Sequence, residues 1–241
     1  MCLNTAPMTA VAHNAHPKRR TNEGAENYAK ALYELQGRGE RAVGTSAVAE
    51  RLGVTRASAS GMLRRLADEG LVEYAPYHGA RLTPEGERIA LEMIRHHRLI
   101  ELFLAEVLGM PWDRVHSEAE VLEHHISEEL EELIATKLGQ PALDPHGDPI
   151  PDRDLAVGRD DSLPLEELQP GERAKFVRVS DSDASMLRYL AERRIHPGAG
   201  LKVKGREPFG GPLIVEIAGH AHPLGPELAR SMRVERRVEE R

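Results

Sequence analysis

Between His97 and His125 the chain places six potential metal ligands at helical spacings. His97 and Glu101 are four residues apart on one segment, and His116, Glu120, Glu123 and His124 follow on a second. At about 100° per residue, with His116 at zero, Glu120 falls at roughly 40°, Glu123 at roughly −20° and His124 at roughly 80°. The four therefore share one stripe about 100° wide, and His125 falls on the opposite side. Imidazoles and carboxylates converging on one stripe suit a divalent first-row metal. Taken singly, each of these residues is more ordinary as part of a solvated acidic helix face; the set as a whole points to metal.

The elements that must carry these groups are readable from pattern. Residues 23–36 read as an amphipathic helix, with Tyr28, Ala31, Leu32 and Leu35 at i, i+3, i+4 and i+7. Next comes a short helix capped by Thr45 or Ser46 and running to Leu52, a turn at Gly53, and a helix from Arg56 to Glu69 capped by Thr55 and closed by Gly70. Two short helices about a glycine turn make a helix-turn-helix. The second helix buries Ala59, Met62, Leu63 and Leu66 and exposes Thr55, Arg56, Ser58, Ser60 and Arg64, which suit base edges and phosphates in a major groove. Two short strands, Leu71–Tyr74 and Ala80–Leu82, then form a wing from which His78 and Arg81 can reach the DNA backbone.

Thr83-Pro84-Glu85 is a helix start. The helix from Pro84 to Leu108 is apolar on more than one side, through Ile89, Ile94, Leu99, Ile100, Leu102, Phe103 and Leu104, which predicts an interface between subunits. Another helix is expected from Ser117 to Leu138. Residues 141–164, crowded with proline and aspartate, read as a linker, in which His146 is more ordinary as loop chemistry than as a ligand. Beyond them, strands at Ala174–Val179, Leu201–Glu207 and Pro212–Ile217, with helices at Ala184–Glu192 and Pro226–Met232, read as a small SH3-like β-barrel. The expected fold is mainly α with small β parts: a flexible tail over 1–21, a winged helix-turn-helix over 22–83, a helical metal-binding and dimerisation domain over 84–140, the linker over 141–164, and the SH3-like domain over 165–238.

The net charge of −7 is unevenly spread: residues 1–100 carry 14 Lys+Arg against 11 Asp+Glu, residues 101–160 carry 4 against 15, and residues 161–241 carry 14 against 13. The acidic middle repels DNA and attracts cations, while the basic first part can meet phosphate. A single cysteine, Cys2, excludes an internal disulfide and fits a reducing compartment, hence an expected cytoplasmic location. No apolar run approaches the roughly 20 residues of a membrane span.

The winged helix-turn-helix, RHHRLIELFL, VHSEAEVLEHHIS and DPHGDPIP, in this order, resemble the diphtheria toxin repressor family of metal-dependent transcriptional repressors, over about residues 22–238. The resemblance implies a homodimer that binds pseudo-palindromic double-stranded operator DNA when loaded with Mn(II) or Fe(II) and represses metal uptake. It also implies two metal sites. The ancillary one uses the positions of His97, Glu101 and His116, with Asp181, and as a further candidate Asp183, from the SH3-like domain. The primary one uses Glu120, Glu123 and His124 with a residue of the first helix, Asn27. Iron-responsive members have cysteine at the position of Glu120 and methionine at that of Asn27; manganese-responsive members have glutamate and aspartate. Glu120 thus follows the manganese branch and Asn27 matches neither, with Glu26 as the nearest substitute. Carboxylate and amide oxygens are harder ligands than thiolate and thioether, so this set suits Mn(II). A second first-helix ligand of the manganese branch is replaced by Lys30, which argues against that branch's paired-metal geometry.

Two other readings stay open. A winged-helix regulator of a small organic ligand needs an apolar pocket and ignores chelators. A metallohydrolase needs an open metal position beside a base; the chain has no HExxH, so an enzyme is not expected.

Overall fold

The computed structural model describes residues 22–37 and 41–236; the expected tail over 1–21 lies outside them. Helix α1 (Glu23–Gln36) starts where the Asn22 side chain accepts from the Ala25 N–H at 2.8 Å, a cap that orders the first turn. It buries Ala25, Tyr28, Ala29, Lys30, Ala31 and Leu32, whereas Leu35, expected on the buried stripe, is 38% exposed. Helix α2 (Thr45–Arg51) is capped by neither Thr45 nor Ser46: Gly44 takes the cap position, because Val43 is tied to Ala80 and the helix begins one residue earlier than expected. Helix α3 (Arg56–Asp68) is capped as expected, the Thr55 hydroxyl accepting from Ser58 N–H at 3.1 Å.

The wing is the hairpin of β1 (Val72–Ala75) and β2 (Gly79–Leu82), with Val72 opposite Leu82. Gly79 is required there: its φ is +93°, and a Cβ would stand 2.5 Å from the Val43 carbonyl oxygen. Leu32, Val48, Ala59, Leu63, Leu66, Val72 and Ile89 close one core that joins α1, α2, α3, the wing and the start of α4.

Helix α4 (Pro84–Glu106) is the spine. Thr83 caps it and Pro84 fixes its first turn. Its apolar breadth, expected to face a second subunit, is covered within the chain: Ile89 and Ala90 pack towards α1, Leu99 and Leu102 against Ile134, Ala135 and Ile150, and Ile100 and Leu104 against Val115 and Ala119. The single helix expected over Ser117–Leu138 is two, α5 (Val115–Leu122) and α6 (Glu128–Lys137). The chain turns at Glu123–His125, and the Ser127 hydroxyl starts the second by accepting from Leu130 N–H at 3.2 Å. From the end of α4 through α6 the large apolar residues left exposed are Val107, Leu108, Val121, Leu122, Leu130 and Leu133.

The C-terminal unit is an open antiparallel sheet in the order β3-β8-β4-β5-β6-β7, built from β3 (Leu163–Pro164), β4 (Arg173–Val179), β5 (Gly200–Arg206), β6 (Leu213–Ile217), β7 (His220–Leu224) and β8 (Met232–Arg236), with helices α7 (Ala184–Glu192) and α8 (Pro226–Ser231). The expected closed barrel is not formed: β3 and β7 remain edges. Sequence reading missed β3, β7 and β8, which are short or interrupted by polar and proline residues, and whose pairing depends on partners distant in sequence. Phe176, Leu190, Ile195, Leu213, Val215 and Val234 fill its core.

Candidate metal centre

Helix α4 aims two ligands inward one turn apart. His97 is 4% exposed and Glu101 not at all, and His97 Nε2 lies 3.1 Å from Glu101 Oε1. Helix α5 crosses α4 and brings His116, whose Nδ1 lies 3.1 Å from His97 Nε2 and 3.3 Å from Glu101 Oε1. The turn after β4 adds Asp181, its Oδ2 3.0 Å from His116 Nδ1. His97, Glu101, His116 and Asp181 thus offer ligand atoms within 4.8 Å of one another, drawn from three segments far apart in sequence.

A second cluster shares Glu101. The linker turn Asp144–Gly147 folds inward, the Asp144 Oδ1 accepting from His146 N–H at 2.8 Å and Asp148 N–H at 2.9 Å. Gly147 is needed where this turn meets β4, since its φ is +90° and a Cβ would lie 1.9 Å from the Val177 carbonyl oxygen. The turn leaves His146 wholly buried, stacked on Trp112, with Nε2 donating to the Trp112 carbonyl at 2.9 Å. Its Nδ1 faces Glu101 Oε2 at 3.8 Å, too far for a hydrogen bond; neither atom has another partner among the described residues. Two buried, unpartnered ligand atoms facing each other at that distance fit a cation between them.

Electrostatics keep the site charged. Burial opposes ionisation of Glu101, but His116, His146 and His97 outweigh it and hold the carboxyl well below the usual carboxylate range. Burial likewise opposes the His97 imidazolium, yet Glu101 and Glu123 push it up to about 9, and Asp181 with Glu101 push His116 up to about 10. Burial, with the Asp148 and Glu101 charges, pushes Asp144 up to about 8.

The remaining expected ligands arrange differently. Glu123, its side chain fully buried, accepts from His97 Nδ1 at 2.5 Å. Glu120 is 43% exposed at its side chain and reaches 3.9 Å from the same nitrogen. His97, Glu120 and Glu123 form a third cluster, but its centre is taken by Lys30 of α1: Nζ donates to Glu120 Oε1 at 2.9 Å and to the two Glu123 oxygens at 3.0 and 2.8 Å. His124 bonds Glu26 Oε2 through Nδ1 at 2.7 Å and holds its Nε2 3.7 Å from Glu123 Oε1. Asn27 lies half-buried on α1, three residues before Lys30, and Asp183 serves as the cap of α7, accepting from Ser185 N–H at 2.8 Å. Sequence reading set His146 aside as loop chemistry and took Lys30 for a lost ligand; its signal was present for both, in DPHGDP and in a lysine on the buried stripe of α1.

On the outer side of the winged domain Thr55, Arg56, Ser58 and Arg64 are exposed on α3. Ser60 is partly buried and its hydroxyl is held by Tyr74 of β1 at 3.0 Å. Arg81 lies half-exposed on β2, while Tyr77 is fully open and His78 exposed at the wing tip.

Residues 20–80 match the family described as iron dependent repressor, N-terminal DNA binding domain; residues 83–152 match its metal binding and dimerisation domain; residues 163–236 match the FeoA domain. The chain is 32% identical over 225 residues to the iron-dependent repressor IdeR of Mycobacterium leprae, a match covering 88% of this chain and 96% of that one. It is 34% identical over 164 residues to the diphtheria toxin repressor of Corynebacterium diphtheriae, covering 68% of each. Among solved structures, a manganese-dependent transcriptional repressor in complex with manganese is 40% identical, with a TM-score of 0.82 over 88% of this chain and all of that one. The structure of ScaR with bound Zn2+ is 30% identical, with a TM-score of 0.74 over 88% and 98% of the two chains.

Proposed function

This chain belongs to the iron-dependent repressor family and is a metal-sensing, DNA-binding repressor; on that premise we propose that it senses Mn(II), with Fe(II) as the second effector, and controls genes of metal uptake. The observation that carries the reading is the convergence of His97, Glu101, His116 and Asp181 beside the unpartnered pair of Glu101 Oε2 and His146 Nδ1. Nitrogen and carboxylate donors without a thiolate favour Mn(II) over softer ions. The metal supplies a divalent positive charge that takes the place of protons on the histidines.

The rest of the mechanism belongs to the chain. His97 and Glu101 are fixed on α4, and Glu123 orients the His97 ring by accepting a hydrogen bond from its Nδ1, which leaves Nε2 facing Glu101 and His116. His116 and Asp181 draw α5 and the sheet domain onto α4. Helix α1 shares one core with α3 and bonds the same α4–α5 junction through Lys30 and Glu26, so a change at the junction moves the recognition helix. In a homodimer formed on the exposed apolar side of α5 and α6, this sets the separation of two α3 helices near the about 34 Å of one DNA turn. Thr55, Arg56, Ser58, Arg64 and Arg81 then meet the operator, with Ser60 bracing the wing.

The test is fluorescence anisotropy of the metal-free protein on labelled promoter DNA, with and without Mn(II), Fe(II) and Zn(II). Tight binding only with metal, and first with Mn(II), is the expected result; binding indifferent to metal and to chelators overturns the reading.

A further inference from the structure

Lys30 is a lysine standing where a cation belongs. Its side chain is 9% exposed, and its ammonium touches Glu120, both oxygens of Glu123 and, at 3.1 Å, His97 Nδ1. These are the three residues of the His97/Glu120/Glu123 cluster. An ammonium has three donors and no acceptor, so it satisfies carboxylates as a metal does and competes with one for the same place. Metal–ligand distances of about 2.0–2.3 Å would put an ion among these atoms against the ammonium itself. Meanwhile His97 gives Nδ1 to Glu123 and keeps Nε2 on the other side, towards Glu101 and His116.

We propose that Lys30 is a resident cation that fills the His97/Glu120/Glu123 centre in place of a metal ion, so that exchangeable metal binds on the Nε2 side of His97. The tie from α1 to α5 is then permanent and independent of metal supply. Metal acts instead through Glu101, His116 and Asp181, on the face of His97 that Lys30 leaves open. The metal-sensing reading is the frame for this inference, but the two fail separately.

The experiment counts Mn(II) per protomer in the full-length protein by equilibrium dialysis with elemental analysis, and follows bound Mn(II) by electron paramagnetic resonance. Wild type is compared with Lys30→Arg, Lys30→Gln and Lys30→Glu, each checked by circular dichroism and melting. The expected result is an unchanged count in Lys30→Arg and one additional ion in Lys30→Gln and Lys30→Glu. Should the glutamate variant not fold, the glutamine variant and a wild-type background carry the test: Glu101→Gln alone must lose Mn(II), because Lys30 blocks the other centre. A count in the neutral or acidic variants no higher than in wild type overturns the proposal, as does Mn(II) retained by Glu101→Gln. If wild type binds no Mn(II) but Lys30→Glu binds one ion, the resident cation stands and the metal-sensing reading falls.

Discussion

His146 Nδ1 and Glu101 Oε2 face each other across 3.8 Å in a fully buried setting, and neither has a hydrogen-bond partner among the described residues. Leaving two such groups unmade is costly in a protein interior. The pair is therefore best explained by what it can bind, and it connects the linker to the ligand cluster on α4. Removing Glu101 should cost more Mn(II) affinity than the about 10–100-fold that follows loss of an outer-shell partner, because its carboxylate serves both clusters. Isothermal titration of Glu101→Gln with MnCl2, beside His146→Ala, checks this; equal affinity in wild type and Glu101→Gln would move the metal elsewhere.

The turn that delivers His146 depends on a glycine. Gly147→Ala combines a φ of +90° with a Cβ 1.9 Å from the Val177 carbonyl oxygen, so the turn or β4 must shift. A loss of about 2–3 kcal/mol is expected, with weakened metal binding. Denaturant unfolding with and without Mn(II) reads both effects.

Glu131 gives a pH-dependent contribution where α6 meets α4. It accepts from Arg95 Nε at 2.5 Å and brings Oε2 within 2.8 Å of His96 Nε2, joining α6 to α4. Burial raises its pKa, but His96 and Arg95 outweigh it and hold it below the usual value. A depressed folded pKa means that the stabilisation is present above the unfolded value of about 4.3 and is lost as pH falls through the folded one. Glu131→Gln should therefore cost about 3 kcal/mol at pH ~7, and this difference should shrink below pH ~4. Melting curves of both proteins across that range decide it.

On the recognition helix, Arg64 is exposed and free to reach phosphate. Arg64→Ala should weaken binding to all sequences alike and lower the slope of log affinity against log salt by about 1. Ser60→Ala should act through the wing, because its hydroxyl is held by Tyr74. Anisotropy titrations at several salt concentrations separate the two: an Arg64 variant with an unchanged salt slope makes no phosphate contact.

The local elements were legible in sequence wherever a cap and a single period coincided. Helix α1 runs over the expected residues 23–36, and α4 starts at Pro84 as its Thr-Pro-Glu start requires. That His97 and Glu101 lie side by side was legible for the same reason: residues four apart on a helix share a face regardless of what surrounds them. That His116 joins them was implied only by the family resemblance, because it stands on another helix. The break of α5 from α6 was not, since His116 to His124 keeps helical spacing through the turn and only the Ser127 cap marks the restart.

By itself, then, the sequence determined the order of the domains, the helix faces and the types of ligand available, all of which are set by neighbours along the chain. Tertiary structure alone decided which ligands meet. Whether Lys30 fills a centre or merely lines it, and whether His146 is loop or ligand, depends on α1, α5 and the linker packing on α4. Burial then turns those contacts into strong interactions, because the low-dielectric interior leaves each charge dependent on the partner that the fold brings to it.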